Sequence, residues 1–182
     1  MQQSLEFSPS DTCRYHFTGA ATTDVSRGPI QGMRTRMLVV KQAGEQKSAW
    51  MSLDFGSFWW QVGYVNWNGP KFFNMCFTGG SLGCNLNVTS YYNSTIPILT
   101  PGTYANFSLQ NIGGTIWRLS INDVILSDID FKVSSARVGS VYIEESYSCR
   151  AGNYKTLTFS PSLDLYEGGS WGPAKSAYIA SS

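Results

Sequence analysis

The feature that most constrains the fold is a series of short strand-like runs along the whole chain. Such runs include Ser48 to Asp54, Phe58 to Val65 and Ile116 to Ile121, and turn signals of Gly, Pro or Asn separate them from the runs that follow or precede them. Many short strands with frequent turns are typical of a β-sandwich or barrel. No window sustains the apolar period of about 3.6 residues that an amphipathic helix requires. We therefore expect an all-β fold, either a β-sandwich or a barrel.

Length and charge narrow the class of protein. The 182 residues predict one domain, which we expect to span residues 1–182. Thirteen Lys and Arg balance twelve Asp and Glu, and no basic cluster could follow a phosphate backbone, so no nucleic-acid partner is expected. No apolar stretch is long enough to span a bilayer. We expect a monomer.

Cysteines and glycosylation sequons favour a secreted protein. The four cysteines are an even count that suits two disulfides, and of the three possible pairings we favour Cys76–Cys84 and Cys13–Cys149. Asn-x-Ser/Thr sequons, which mark exposed surface in secreted chains, occur at Asn87, Asn93 and Asn106. The first residues lack a basic start and an apolar segment, so we expect that a signal peptide has been removed.

Several catalytic chemistries are not supported by the residues. His16 is the only histidine, and no Gly-x-Ser-x-Gly nucleophile motif accompanies it. Cys13 and His16 have the spacing of half a zinc site, but no second pair completes it, so neither metal nor cofactor is expected. The acidic pair Glu144 and Glu145 is adjacent on a strand and points to opposite faces, which argues against a two-carboxylate glycosidase.

Alternation along the run from Phe58 to Val65 assigns its residues to two faces. Phe58, Trp60, Val62 and Tyr64 form the apolar face, whereas Gln61 lies between Trp59 and Gly63 on the other. There the amide could face a ligand in an aromatic groove, with Gly63 leaving room for its approach, or could simply bond to neighbouring strands. The expected core comprises Trp50, Leu53, Phe58, Trp60, Val62, Phe73, Leu109, Trp117, Leu119, Val141, Ile143 and Phe159.

Two segments resemble the glutamic peptidases of the eqolisin family, which work at acid pH. The run from Ala49 to Asp54 (AWMSLD), followed by Trp60 to Gly63 (WQVG), is similar to the family's Ala-Trp-Val-Gly-Ile-Asp and Leu-Gln-Thr-Gly strands. Tyr142 to Tyr147 (YIEESY) is similar to its later strand with Trp/Phe-Ile-Val/Ile-Glu-Asp. The similarity lies in short islands between Ser48 and Ser160.

The resemblance implies an antiparallel two-sheet β-sandwich, a concanavalin A-like jelly roll, and a secreted acid endopeptidase that acts on polypeptides without a cofactor. Glu145 takes the place of the family's catalytic Glu and would accept a proton from the attacking water. Gln61 takes the place of the catalytic Gln and would donate its amide N–H to the developing oxyanion. The expected substrate-binding residues are Trp59, Trp67, Asp54 and Tyr147.

The departures from the family pattern favour a second hypothesis. The run Lys71 to Phe77 lacks the acidic residue and the Trp pair of the family's substrate groove, and Val141 replaces a glutamate upstream of the catalytic one. The alternative is a non-catalytic carbohydrate-binding or adhesive module, in which Trp59 and Trp67 serve as platforms for the rings of a glycan. The low charge also leaves a structural surface or coat component as a third class.

Overall fold

The strands of the fold are short and make up most of the residues that the structure describes. The computed structural model describes residues 15–22, 28–39, 46–66, 70–78, 81–82, 91–93, 99–146, 163–174 and 178–181. Within these ranges every regular element is a strand: β1 (Tyr15–Thr22), β2 (Gly32–Leu38), β3 (Gln46–Asp54), β4 (Trp59–Asn66), β5 (Pro70–Thr78), β6 (Ser81–Leu82), β7 (Tyr91–Asn93), β8 (Tyr104–Gly113), β9 (Ile116–Ile121), β10 (Val124–Asp130), β11 (Val138–Ser146), β12 (Asp164–Glu167), β13 (Ser170–Pro173) and β14 (Tyr178–Ser181). In this part of the chain no helix is long and apolar enough to cross a membrane.

The described strands form two antiparallel sheets. The large sheet has the order β14-β1-β11-β3-β4-β5-β6, with β7 paired to β5 beside this path, and the small sheet has the order β10-β9-β8-β2-β12-β13. Strands that are distant in sequence lie side by side, as β11 does between β1 and β3. The predicted all-β fold with two antiparallel sheets, a jelly-roll sandwich, is therefore confirmed.

The hydrophobic core lies between the sheets and explains the alternation in the sequence. On β4, Trp60 and Val62 are fully buried in this core and Tyr64 is 1% exposed, as the period of two predicts. Inward residues of the small sheet, such as Leu109 and Trp117, belong to the same cluster. The apolar face assigned to β4 from the sequence is thus confirmed.

Large polar-tipped side chains in the core have partners for their polar atoms. The indole Nε1 of Trp60 donates to Oδ1 of the buried Asn74, and its ring contacts Phe131 edge-on at 4.6 Å between centroids. Trp117 Nε1 donates to the backbone oxygen of Val133 at 2.7 Å. These bonds let two tryptophans fill the core without burying an unpaired N–H group.

Cysteine and sequon predictions are only partly covered by the structure. Cys76 is disulfide-bonded, whereas the other three cysteines lie outside the described residues, so both favoured pairings remain predictions. Asn106 is exposed on β8, as expected of a sequon, and Asn87 lies outside the described residues.

Candidate functional site

The candidate site predicted from the sequence lies on the face of the large sheet that points away from the small sheet, here called the outer face. Gln61 is on this face because its neighbours Trp60 and Val62 point into the core. Gln61 pairs with Ser52 on β3, and Ser52 pairs with Ser140 on β11. Directly paired residues of antiparallel strands share a face, so the three form one row across the sheet, the Gln61 row.

The Gln61 row is polar and buried. Gln61 and Ser140 are each 6% exposed and Ser52 is 7% exposed. The hydroxyls of Ser52 and Ser140 are hydrogen-bonded to each other at 2.7 Å. Gln61 Oε1, in contrast, is buried without a hydrogen-bond partner in the structure as described. A buried acceptor without a partner costs about 1–3 kcal/mol, so Gln61 is a residue whose presence packing alone does not explain.

Aromatic side chains flank the Gln61 row at the levels before and after it. On one side Trp59 stacks on Phe77, with ring centroids 5.1 Å apart. On the other side Trp50 contacts Tyr142 at 4.6 Å between centroids and packs in one cluster with Phe73. Trp50 and Phe73 were expected in the main core. Both are buried, but in this separate cluster on the outer face. Alternation along β3 and β5 explains this, because Leu53 and Phe72 point into the main core and Trp50 and Phe73 therefore point to the other face of the sheet.

Gly63 does not leave room for a ligand. A Cβ atom at this position would lie 2.1 Å from the backbone oxygen of Ala49 and 2.6 Å from Cα of Trp50. The space beside Gly63 is therefore filled by strand β3 itself, and the expectation of an open approach there is wrong. The glycine instead permits the close approach of β3 and β4 that seats Trp50 over the sheet.

The backbone register does not bring Gln61 and Glu145 to the same level of the sheet. Glu145 pairs with Lys47 on β3, whereas the residue of β11 at the level of Gln61 is Ser140. Five residues separate these levels along β11, which is about 16 Å at 3.3 Å per residue. Because side chains alternate between faces and positions 140 and 145 are an odd number of residues apart, backbone position 145 belongs to the face opposite to that of Gln61. Position 144, four residues from Ser140, belongs to the face of Gln61.

Of the four predicted substrate-binding residues, the structure describes Trp59 and Asp54. Trp59 is partly exposed on the outer face, one level from Gln61. Asp54 pairs with Trp59, and its Oδ1 accepts a hydrogen bond from the backbone N–H of Gly56 at 2.5 Å, which gives it a role in the β3–β4 turn. Trp67 and Tyr147 lie outside the described residues. The described residues also contain no group of three or more His, Cys, Asp or Glu that could hold a metal.

Comparison with known proteins finds similarity in three dimensions only. No protein-family model matches the sequence, and no curated protein matches it. Scytalido-glutamic peptidase, solved with a peptide-based transition-state analogue, is 13% identical over 93% of this chain and 88% of its own, with a TM-score of 0.59. SCP-B, a member of the eqolisin family solved with the tripeptide Ala-Ile-His, is 12% identical over the same shares of the chains, with a TM-score of 0.53. Sheep galectin-11 in complex with glycerol is 10% identical over 77% of this chain and 95% of its own, with a TM-score of 0.47.

The similarity to the two peptidase structures defines the class of fold. The chain is a jelly-roll β-sandwich, and it shares its fold with the glutamic peptidases of the eqolisin family over most of its length. The family resemblance expected from the sequence is therefore confirmed at the level of the fold. At 12–13% identity the likeness extends to the fold and leaves the chemistry to be argued from the residues.

Proposed function

We propose that this protein is a non-catalytic, carbohydrate-binding module built on the fold of the glutamic peptidases. The observation that carries the proposal is the composition of the Gln61 row. At the level of Gln61, strand β5 presents Met75, and on the other side β3 and then β11 present Ser52 and Ser140; none of these side chains is a carboxylate. Glu145 belongs to a level five residues away.

Peptide hydrolysis by a glutamine and a glutamate needs both groups at one water molecule. The general base must lie within hydrogen-bond reach of that water, at about 2.6–3.2 Å between heavy atoms. A serine hydroxyl cannot replace the carboxylate at acid pH, because it does not accept a proton there. The hydroxyls of Ser52 and Ser140 are also hydrogen-bonded to each other, so each already has a partner within the sheet. This favours a structural role for the two serines over a role in catalysis.

The chemistry of the small sheet, on the face that points away from the large sheet, favours sugars as the ligand. There Ser108 and Gln110 line the same surface cavity as Trp171. Neutral amides and hydroxyls beside aromatic rings are the usual combination in sites that bind sugar rings. The nearly balanced charge of the chain agrees with a neutral ligand.

We also propose that the protein is secreted. The disulfide at Cys76 supports this, because structural disulfides persist in oxidising compartments.

The alternative is the acid endopeptidase with Gln61 and Glu145 as its dyad. Two features favour it: the fold shared with glutamic peptidases, and the position of Gln61 on the outer face of the large sheet. In this hypothesis Glu145 would take a proton from water and pass it to the leaving nitrogen, and Gln61 would stabilise the oxyanion.

One pair of assays separates the two functions. The protein is incubated with a denatured polypeptide between about pH 3 and 5, where a glutamate base would be active, and the same preparation is applied to a glycan array. We expect binding to glycans and no cleavage.

The control variants make the result specific. If wild type cleaves, and Glu145→Gln and Gln61→Ala lower the rate by about 10²-fold or more while Glu144→Gln does not, the peptidase hypothesis is correct and our proposal is wrong. An empty array would also refute the proposal.

A further inference from the structure

We infer that the saccharide binds in a cavity on the small sheet, on the face that points away from the large sheet, rather than beside Trp59. This inference rests on the proposed function and assigns it a site. The cavity has a volume of about 410 Å³, within the range of about 300–1,000 Å³ that small-molecule sites occupy. Residues of β2, β8, β12 and β13 line it, among them Arg34, Arg36, Asn106, Gln110, Asp164 and Trp171.

Arg34 is held in place from two sides. Its Nε and Nη2 both lie 2.9 Å from Oδ2 of Asp164, and its guanidinium carbon is 4.6 Å from the centroid of the Trp171 ring. The side chain of Arg34 is nevertheless 48% exposed. An exposed arginine that is already fixed by an ion pair and a ring contact loses little conformational entropy when a ligand binds.

The Arg34–Asp164 pair does not use all of the polar atoms of its two side chains. Both contacts of Arg34 reach the same oxygen, Oδ2, so the pair itself uses neither Nη1 of Arg34 nor Oδ1 of Asp164. Two neighbouring hydroxyls of a sugar ring can each accept and donate a hydrogen bond. The pair therefore matches the vicinal hydroxyls of a saccharide, and a ligand with acceptors alone would leave Asp164 unsatisfied.

The rest of the lining is neutral or charge-balanced. Amide and hydroxyl side chains on β8 and β9 continue the polar surface, namely Asn106, Ser108, Gln110 and Ser120. Arg36 stacks over Tyr104 with its guanidinium carbon 4.6 Å from the ring centroid, and Asp123 lines the cavity as well. Two arginines and two aspartates thus give the lining no net charge, which favours a neutral saccharide over an anionic one.

The structure offers a matched control on the same sheet face. Arg118 forms a second exposed ion pair, with its Nε and Nη2 at 2.8 Å from the two oxygens of Asp128. Its partner across the strands is Gln110, so Arg118 lies on the same face as Arg34, but it does not line the cavity. In this pair Arg118 contacts both carboxylate oxygens of Asp128. The Arg34–Asp164 pair differs, because there Arg34 contacts Oδ2 and not Oδ1.

The test is a calorimetric titration with neutral and anionic mono- and disaccharides. We expect neutral saccharides to bind wild type, and Arg34→Lys to weaken binding by about tenfold or more, because lysine keeps the charge but loses the planar fork. The same loss is expected in Asp164→Asn. Arg118→Lys should bind as wild type does. Unchanged thermal unfolding in all three variants would show that the effects are local.

Three outcomes would overturn the inference, and they separate it from the proposed function. If glycan binding falls in Trp59→Ala but not in Arg34→Lys, the site is wrong and the proposed function stands. If anionic saccharides bind more tightly than neutral ones, with an affinity that falls at high salt, the ligand class is wrong. If no saccharide binds, both the inference and the proposed function fail.

Discussion

The buried Oε1 atom of Gln61 allows a prediction about stability that runs against the usual effect of core mutations. Gln61→Met keeps the length and approximate volume of the side chain and removes an acceptor that is buried without a partner. Leaving such an acceptor unpaired costs about 1–3 kcal/mol in the folded state. We therefore expect the variant to gain about 1 kcal/mol in free energy of unfolding, and about 2–4 °C in Tm.

Asn74→Leu is the matched control, because it also replaces a buried amide by an apolar side chain. Asn74 is 1% exposed, but its Oδ1 accepts the hydrogen bond from Nε1 of Trp60. Its removal leaves the buried indole N–H unpaired, so we expect a loss of about 1–3 kcal/mol. The two substitutions thus have opposite expected signs although they look alike in the sequence.

Urea unfolding followed by tryptophan fluorescence would measure both changes. The dependence of the free energy on urea should be the same for wild type and variants, since neither substitution changes the surface exposed on unfolding by much. If Gln61→Met is destabilised as much as Asn74→Leu, the amide of Gln61 makes a stabilising contact, and our account of Oε1 as an unpaired acceptor is refuted.

Two further predictions concern the close approach at Gly63 and a carboxylate of the small sheet. Gly63→Ala should lower the free energy of unfolding by about 1–3 kcal/mol or prevent folding, because the added Cβ would meet the backbone of β3; an unchanged Tm would contradict the register. Hydrogen bonds from Lys132 and then Thr115 lower the pKa of Asp130 to about 2. The folded pKa lies below the unfolded one, so the stability that Asp130 contributes is present above about pH 4 and lost as the pH falls through about 2. Urea titrations at several pH values should show a weaker acid dependence in Asp130→Asn, and an unchanged dependence would count against the shift.

Local patterns in the sequence were enough for the fold class and for the faces of β4. Alternation assigned Trp60 to the core and Gln61 to the opposite face, and both positions agree with the structure. Such assignments succeed because the period of two is a property of a single strand and needs no knowledge of its neighbours. The sequence analysis did not identify β10 (Val124–Asp130), where the apolar residues Val124 and Ile125 are exposed and give no alternation between a buried and a polar face, or the strands β12 and β13, which are only four residues long.

Pairing between distant strands decided which residues share a level of the sheet with Gln61. The sequence placed Gln61 and Glu145 together by family resemblance, but only the register between β11, β3 and β4 shows that Ser140 shares the level of Gln61. The Arg34–Asp164 pair likewise joins residues 130 positions apart, and neither forms a motif with its neighbours in sequence. Periodicity is read along one strand, whereas the register across a sheet depends on which strands meet, and the tertiary structure alone fixes that.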